Sequence, residues 1–275
     1  MKTIEPNPTP EGTNLPDRQG EPDARRIAID KVGVRSLRYP IEVRDKAHST
    51  QSTVATFGLS VDLPHHFKGT HMSRFVEVLN SHGKLVHVEN IPVMLKELQD
   101  RLEAESAHIE MEFPYFVEKE APMTGAPGAV DYQVHFDASA YGKEVVFTVT
   151  TVVPVTTLCP CSKAIAEYGA HNQRGYVSLS IRSARPIWIE DMIALVEDSA
   201  SCEIYSLLKR EDEKFVTEKA YDNPVFVEDL SRNVALRCNQ HPDITWYRIE
   251  VENMESIHNH AAYALIEKDF SVEKE

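Results

Sequence analysis

The chain has 275 residues, 42% of them hydrophobic and 26% charged, with a formal net charge of −14 at pH 7. That balance argues against non-specific binding of nucleic acid or of an anionic membrane, both of which need a basic face. A small anionic substrate stays open where basic residues cluster. No apolar run approaches the ~20 residues of a membrane span, and no signal-peptide core opens the chain. The four cysteines are too few for a disulfide scaffold, so a reducing cytoplasm is the expected setting.

Residues 1–26 are rich in Pro, Gly, Asn, Asp and Glu without periodicity, which predicts a disordered or loosely attached tail. A first strand is expected within 27–43. Ala55, Phe57, Leu59, Val61 and Leu63 then alternate with polar or small residues, the period of a half-buried strand. A polar loop after Pro64 runs into a helix, with Thr70 or Ser73 as its expected cap. A second helix follows, carrying Ile91, Met94, Leu95, Leu98 and Leu102 on one face. Ile109, Met111, Phe113, Tyr115 and Val117 predict a third strand, and Val130, Tyr132, Val134 and Phe136 a fourth.

The second half repeats this order. Val145, Phe147, Val149, Thr151, Val153 and Val155 make a long strand, and Val177, Leu179 and Ile181 its partner. A helix around Ile189, Met192, Ile193 and Val196 is expected to continue through Leu208. Asn223 and Pro224 suggest an N-cap with Pro at N1, opening a helix with Phe226, Leu230 and Val234 buried. Tyr247, Ile249 and Val251 begin a last pair of strands, closed by residues 261–266. The expectation is an α+β chain of two tandem ββααββ modules, 27–142 and 143–275, each an antiparallel sheet with helices on one face. Sheet edges need covering, so a homo-oligomer is expected.

The chemistry concentrates in four segments. Leu158-Cys159-Pro160-Cys161-Ser162-Lys163 follows the long strand, and Ala170-His171-Asn172 returns after a short helix expected over 162–168. Ser162 is read as that helix's N-cap and Gly169 as its stop. A Cys-x-Cys pair is not the Cys-x-x-Cys of a redox site, and no second pair completes a four-thiolate structural zinc. A site with few protein ligands leaves room for water, as hydrolytic metal chemistry requires. A third ligand could come from the carboxylates of Lys209-Arg210-Glu211-Asp212-Glu213-Lys214-Phe215, or from His258 or His260. On the residues alone, that charged run reads as a solvated helix end and Glu228 as a surface helix acid.

Glu255-Ser256-Ile257-His258-Asn259-His260 places two imidazoles on one face if it is extended, suited to proton transfer or metal ligation. Lys68-Gly69-Thr70-His71-Met72-Ser73-Arg74 combines cations, hydroxyls and a helix start, equipment for a phosphate. It lacks P-loop spacing, and an incidental basic cluster explains it as well.

Together these four segments resemble the prokaryotic GTP cyclohydrolase IB family, with the resemblance running over residues 29–269. It implies a tunnelling fold (T-fold) of two ββααββ modules and a homotetramer built from barrels. It implies conversion of GTP and water to 7,8-dihydroneopterin triphosphate and formate, the first step towards tetrahydrofolate, with a divalent metal (zinc, manganese or iron). It also implies metal positions at Cys159, His171 and Glu213, with Cys159 the marked catalytic cysteine. Glu228 corresponds to the acid that anchors guanine, and Cys161 and His258 to active-site positions. Lys68, Ser73 and Arg74 are our assignment for the triphosphate. A T-fold nitrile reductase with a Cys nucleophile and a non-catalytic, metal-stabilised assembly module are the alternatives.

Overall fold

The computed structural model describes residues 19, 21–82 and 90–271; residues 1–18 and 20 of the expected tail lie outside them. The first half runs β1 (Ile29–Asp45), β2 (Ser49–Leu63), α1 (Met72–Ser81), α2 (Ile91–Leu102), β3 (Ser106–Glu120) and β4 (Pro127–Tyr141). The second runs β5 (Glu144–Leu158), α3 (Pro160–Ile165), β6 (Asn172–Ser183), α4 (Ile189–Glu197), β7 (Cys202–Glu203), α5 (Arg210–Asp222), α6 (Val227–Gln240), β8 (Ile244–Met254) and β9 (Ala261–Asp269).

These strands form not two sheets but one antiparallel sheet of order β1-β2-β3-β4-β5-β6-β8-β9, with β7 added against β5. Gly142, at φ +59, turns the chain between β4 and β5, and residues 133–141 then pair with 144–152. The alternation places Phe57, Met111, Phe136, Val149, Ile181 and Tyr247 in one row across the sheet. The helices cover that face. Ile91, Met94, Leu95, Leu98 and Leu102 of α2 are all buried, as are Leu230 and Val234 of α6. Each fully buried side chain of this size stabilises the fold by about 1.5–3 kcal/mol before entropy is charged. The opposite face carries Thr56, Glu112, His135, Thr150, Ser180 and Arg248.

Several helix limits differ from the sequence expectation. Helix α4 stops at Glu197 and does not reach Leu208. Ser201 is fully buried and its hydroxyl accepts the Leu158 amide at 3.0 Å, which pulls the chain into β7. The charged run around Lys209 is a helix of its own, α5. Neither Thr70 nor Ser73 caps α1, whose N-cap is His71. The last helix starts after Phe226, not at Asn223. Residues 21–23 lie antiparallel to 66–68: Lys68 N–H donates to the Glu21 carbonyl (3.2 Å) and Asp23 N–H to the His66 carbonyl (3.3 Å).

Candidate active site

The strand ends nearest Leu158 assemble the second-half segments. Leu158 pairs with Asn172, and Cys159 N–H donates to the His171 carbonyl at 3.1 Å, so the two candidate metal donors leave adjacent strands side by side. Helix α3 begins two residues earlier than expected, at Pro160. Pro at a first helical position loses no bond there, because that N–H has no intrahelical partner. Cys159 is the N-cap: its Sγ accepts the Ser162 amide at 3.4 Å. Ser162 is therefore not the cap. Its hydroxyl instead accepts the His171 amide at 3.0 Å, pinning the return of the loop. Gly169 makes that return with φ +72, a region that a Cβ disfavours.

The loop between β8 and β9 closes one side. Met254 pairs with both Arg174 and Ala261, which sets residues 255–260 against the start of β6. Ser256 Oγ lies 3.3 Å from His171 Nδ1; a partner on Nδ1 fixes the ring and leaves Nε2 for an ion. Glu255 Oε1 accepts Gln173 Nε2 at 3.3 Å, and Glu255 Oε2 lies 3.6 Å from His258 Nδ1. The rings of His258 and His260 stack at 5.0 Å between centroids, so they share a side although the segment is a bend, not a strand.

On the other side, Val225 N–H donates to the Leu158 carbonyl at 3.1 Å. That bond brings the start of α6, and with it exposed Glu228 in the first turn, beside the cysteine loop. A carboxylate is favoured at a helix N-terminus. Cys161 is exposed on α3. Lys163 donates to the Tyr221 carbonyl and covers the Tyr221 ring at 4.2 Å, so α5 meets the loop through its last turn.

Glu213 is less simply placed. It is exposed in the first turn of α5, about two turns or ~12 Å along the axis from Tyr221. Its neighbour Asp212, fully buried, ties that turn to the β3–β4 connection by accepting from Met123 N–H (2.8 Å), Thr124 N–H (2.9 Å) and Thr124 Oγ1 (2.6 Å). Burial works against the charged form of Asp212, but these bonds outweigh it and hold its carboxyl well below the usual carboxylate range. Among the described residues, no group of three or more His, Cys, Asp or Glu side chains stands close enough to hold a metal. Cys159 and His171 are a thiol and an imidazole on neighbouring strand ends, donor types that suit a divalent ion, and one chain does not bring Glu213 to them.

Lys68, Ser73 and Arg74 are at the other end of the strands. The register aligns the end of β2 with the beginning of β5, and β5 spans 15 residues, about 45 Å at ~3.3 Å per residue. Lys68 pairs with Glu21 at 2.7 Å. Arg74 gives Nη1 to the Arg101 carbonyl at 2.8 Å, joining α1 to the end of α2. Glu255, Ser256 and Gln173 received no role from the sequence, and Ser162 only that of a helix cap. The available signal was their position within or beside the His and Cys motifs.

Residues 15–264 match the family described as type I GTP cyclohydrolase folE2. The GTP cyclohydrolase FolE2 of Akkermansia muciniphila is 60% identical over 93% of this chain and 98% of its own length. That of Nitrosococcus oceani is 56% identical over 93% and 96%. Among solved structures, uricase from Arthrobacter globiformis is similar with a TM-score of 0.51 at 11% identity, covering 87% of this chain and 92% of its own. Urate oxidase from Bacillus sp. TB-90 gives 0.52 at 8% identity, covering 88% and 99%. The urate oxidases share the fold alone, whereas the family match over residues 15–264 spans every motif described above. The chain belongs to the FolE2 family of type I GTP cyclohydrolases.

Proposed function

We infer that this chain is a GTP cyclohydrolase I, converting GTP and water to 7,8-dihydroneopterin triphosphate and formate at the entry to tetrahydrofolate synthesis. What supports this reading is that the cysteine loop, the 255–260 loop with His258 and the start of α6 with Glu228 lie at one end of the sheet, in a chain 54–60% identical to FolE2 enzymes over nearly its whole length. A divalent ion (zinc, manganese or iron) would be held by Cys159 and His171, with Glu213 brought by a second copy as third donor, and would supply the Lewis acidity that makes water a nucleophile near neutral pH.

The remaining roles belong to side chains. Glu228 accepts the N–H donors of the guanine edge and holds C8 towards the Cys159 loop, a contribution of orientation. His258 gives a proton to the imidazole nitrogen as the ring opens, and Cys161 lines the same space. Lys68, Ser73 and the remaining N–H groups of Arg74 take the triphosphate. Since they stand about 45 Å along the strands from Cys159 in one chain, a second copy presents them.

That arrangement agrees with the T-fold reading, in which tandem modules close into barrels within a homotetramer. Among the described residues, β1 pairs only with β2 and β9 only with β8, so both outer strands have an edge for another chain. Ile165 and Tyr168 of the cysteine loop, 84% and 92% exposed, are apolar surface that a neighbouring copy would cover.

Incubation with GTP and manganese, followed by oxidation, is expected to give pterin fluorescence and one formate per GTP consumed. Absence of both overturns the reading, and consumption of NADPH with a nitrile substrate would mark the reductase chemistry instead.

A further inference from the structure

Beneath the cysteine loop the buried face of the sheet changes character. Where β5, β6 and β8 elsewhere bury Val153, Val177, Leu179, Ile249 and Val251, their last turns towards the loop bury Thr157, Gln173 and Asn253. Thr157 and Gln173 are direct cross-strand partners. Asn253 faces Gly175, where a Cβ would stand 2.6 Å from its Oδ1. Thr157 Oγ1, Gln173 Oε1 and Asn253 Oδ1 have no hydrogen-bond partner among the described residues. Buried polar groups without partners are costly, so a purpose for them is to be sought in what they support.

Gln173 supplies it. An ionised carboxylate only accepts, so the Gln173 amide must turn its nitrogen to Glu255 (3.3 Å), and its oxygen consequently faces the interior. Glu255 is held this way at the rim with its side chain 14% exposed, and its second oxygen lies 3.6 Å from Nδ1 of His258, itself 52% exposed. A separation of 3.6 Å is an ion-pair distance, longer than a hydrogen bond, and such contacts tighten when substrate binds. His260 stacks on the same ring at 5.0 Å and limits its tilt, but a ring stack does not choose between the two nitrogens.

We propose that Glu255 is a positioning residue for His258: anchored by buried Gln173, its carboxylate faces Nδ1, fixes a proton there and leaves Nε2 to take up from water, and then deliver, the proton that the substrate receives. The proposal rests on the GTP cyclohydrolase reading for the identity of that substrate. It extends the reading by separating two tasks within one loop. Ser256 orients His171 through its Nδ1 (3.3 Å), while Glu255 orients His258. The loop thereby sets both imidazoles, each from its Nδ1 side.

The test uses full-length protein labelled with 15N-histidine, with the His258 signals assigned by their loss in His258→Asn. Wild type is expected to carry the His258 proton on Nδ1. Glu255→Ala should move it to Nε2, the tautomer that free imidazole prefers. In the same variant kcat for GTP should fall ~10-fold or more, with KM within about two-fold and the bound metal unchanged. Gln173→Leu should shift both readouts in the same direction by less.

An unchanged tautomer in Glu255→Ala overturns the proposal. So does a fall in kcat accompanied by loss of metal, which would place Glu255 in support of the metal centre. Should Glu255→Ala not fold, Glu255→Gln, which keeps an acceptor for Gln173, is read for kcat, KM and metal by the same criteria. If wild type makes no pterin, the functional reading fails, and the tautomer measurement still decides the role of Glu255.

Discussion

The β1–β2 and β5–β6 connections occupy corresponding places, at the same end of one sheet, and use their polar groups in opposite ways. The first is the short turn of Lys46, Ala47 and His48. Its carboxylate, Asp45, is buried and fully engaged: Oδ1 accepts from the amides of Ala47 (2.8 Å) and His48 (2.6 Å), and Oδ2 from Gln51 Nε2 (2.8 Å). The second spans 159–171 and is fastened through Cys159, Ser162 and His171 and, by Lys163, to Tyr221 of α5. Between them stand the exposed Cys161, Ile165 and Tyr168. One connection engages its carboxylate within the turn and ties Lys46 to Glu190 and Asp191 of α4; the other leaves a thiol and an imidazole to face outward. Corresponding turns thus hold their side chains in different ways, and on the proposed reading the longer one carries the reaction.

The comparison is broken most decisively at Cys159. Cys159→Ala is expected to lower turnover ~10³-fold or more and to empty the protein of bound metal, measured as pterin formation and metal per chain. Retained metal with normal turnover would make the two connections equivalent after all. A smaller effect tests what fastens α5 next to the loop. Glu203 on β7 accepts Lys219 Nζ and Tyr205 Oη, each at 2.5 Å. Burial alone would raise its pKa, but those partners outweigh it and lower it from 4.5 to about 2.

Because the folded value is depressed, the stabilisation is full above the ordinary carboxylate pKa and is lost as pH falls from about 4.5 through about 2, up to ~3 kcal/mol in total. Urea unfolding of Glu203→Gln should lack this part of the acid dependence, and an identical pH profile would remove Glu203 from the account. The smallest effect falls on the first-half turn. Asp45→Ala loses a buried carboxylate with three bonds, ~1–3 kcal/mol, seen as a drop of several degrees in Tm, while turnover stays within about two-fold. A large loss of turnover there would blur the contrast.

Much of this was legible in the sequence where one physical signal dominated. Helix α2 combines a one-sided apolar stripe with a Pro at its start, and the strands alternate cleanly because one face is buried. Helix α5 was not legible as an element. It buries only Asp212 and Ala220, so it has almost no apolar stripe and is held by hydrogen bonds to distant segments. The end of α4 was missed for a related reason, since Ser201 leaves the helix to satisfy the Leu158 amide, a contact between residues far apart in the chain. At the site, spacing within a motif was readable, as with Cys159 and His171 on paired strand ends. Relations between motifs were not. Nothing local in the Lys68 or Glu213 segments says how far they stand from the thiol, because that distance is set by strand register.

The seam between the halves has its own consequence. Residues 133–141 and 144–152 are zipped together across the turn at Gly142, so the two halves of the chain meet in a hydrogen-bonded ladder and not at a linker. Cutting the backbone at that turn would leave two fragments, each with a freshly bared strand seeking a mate. Separate expression of either half would therefore yield self-associating material, and an insertion at the midpoint would disturb that ladder.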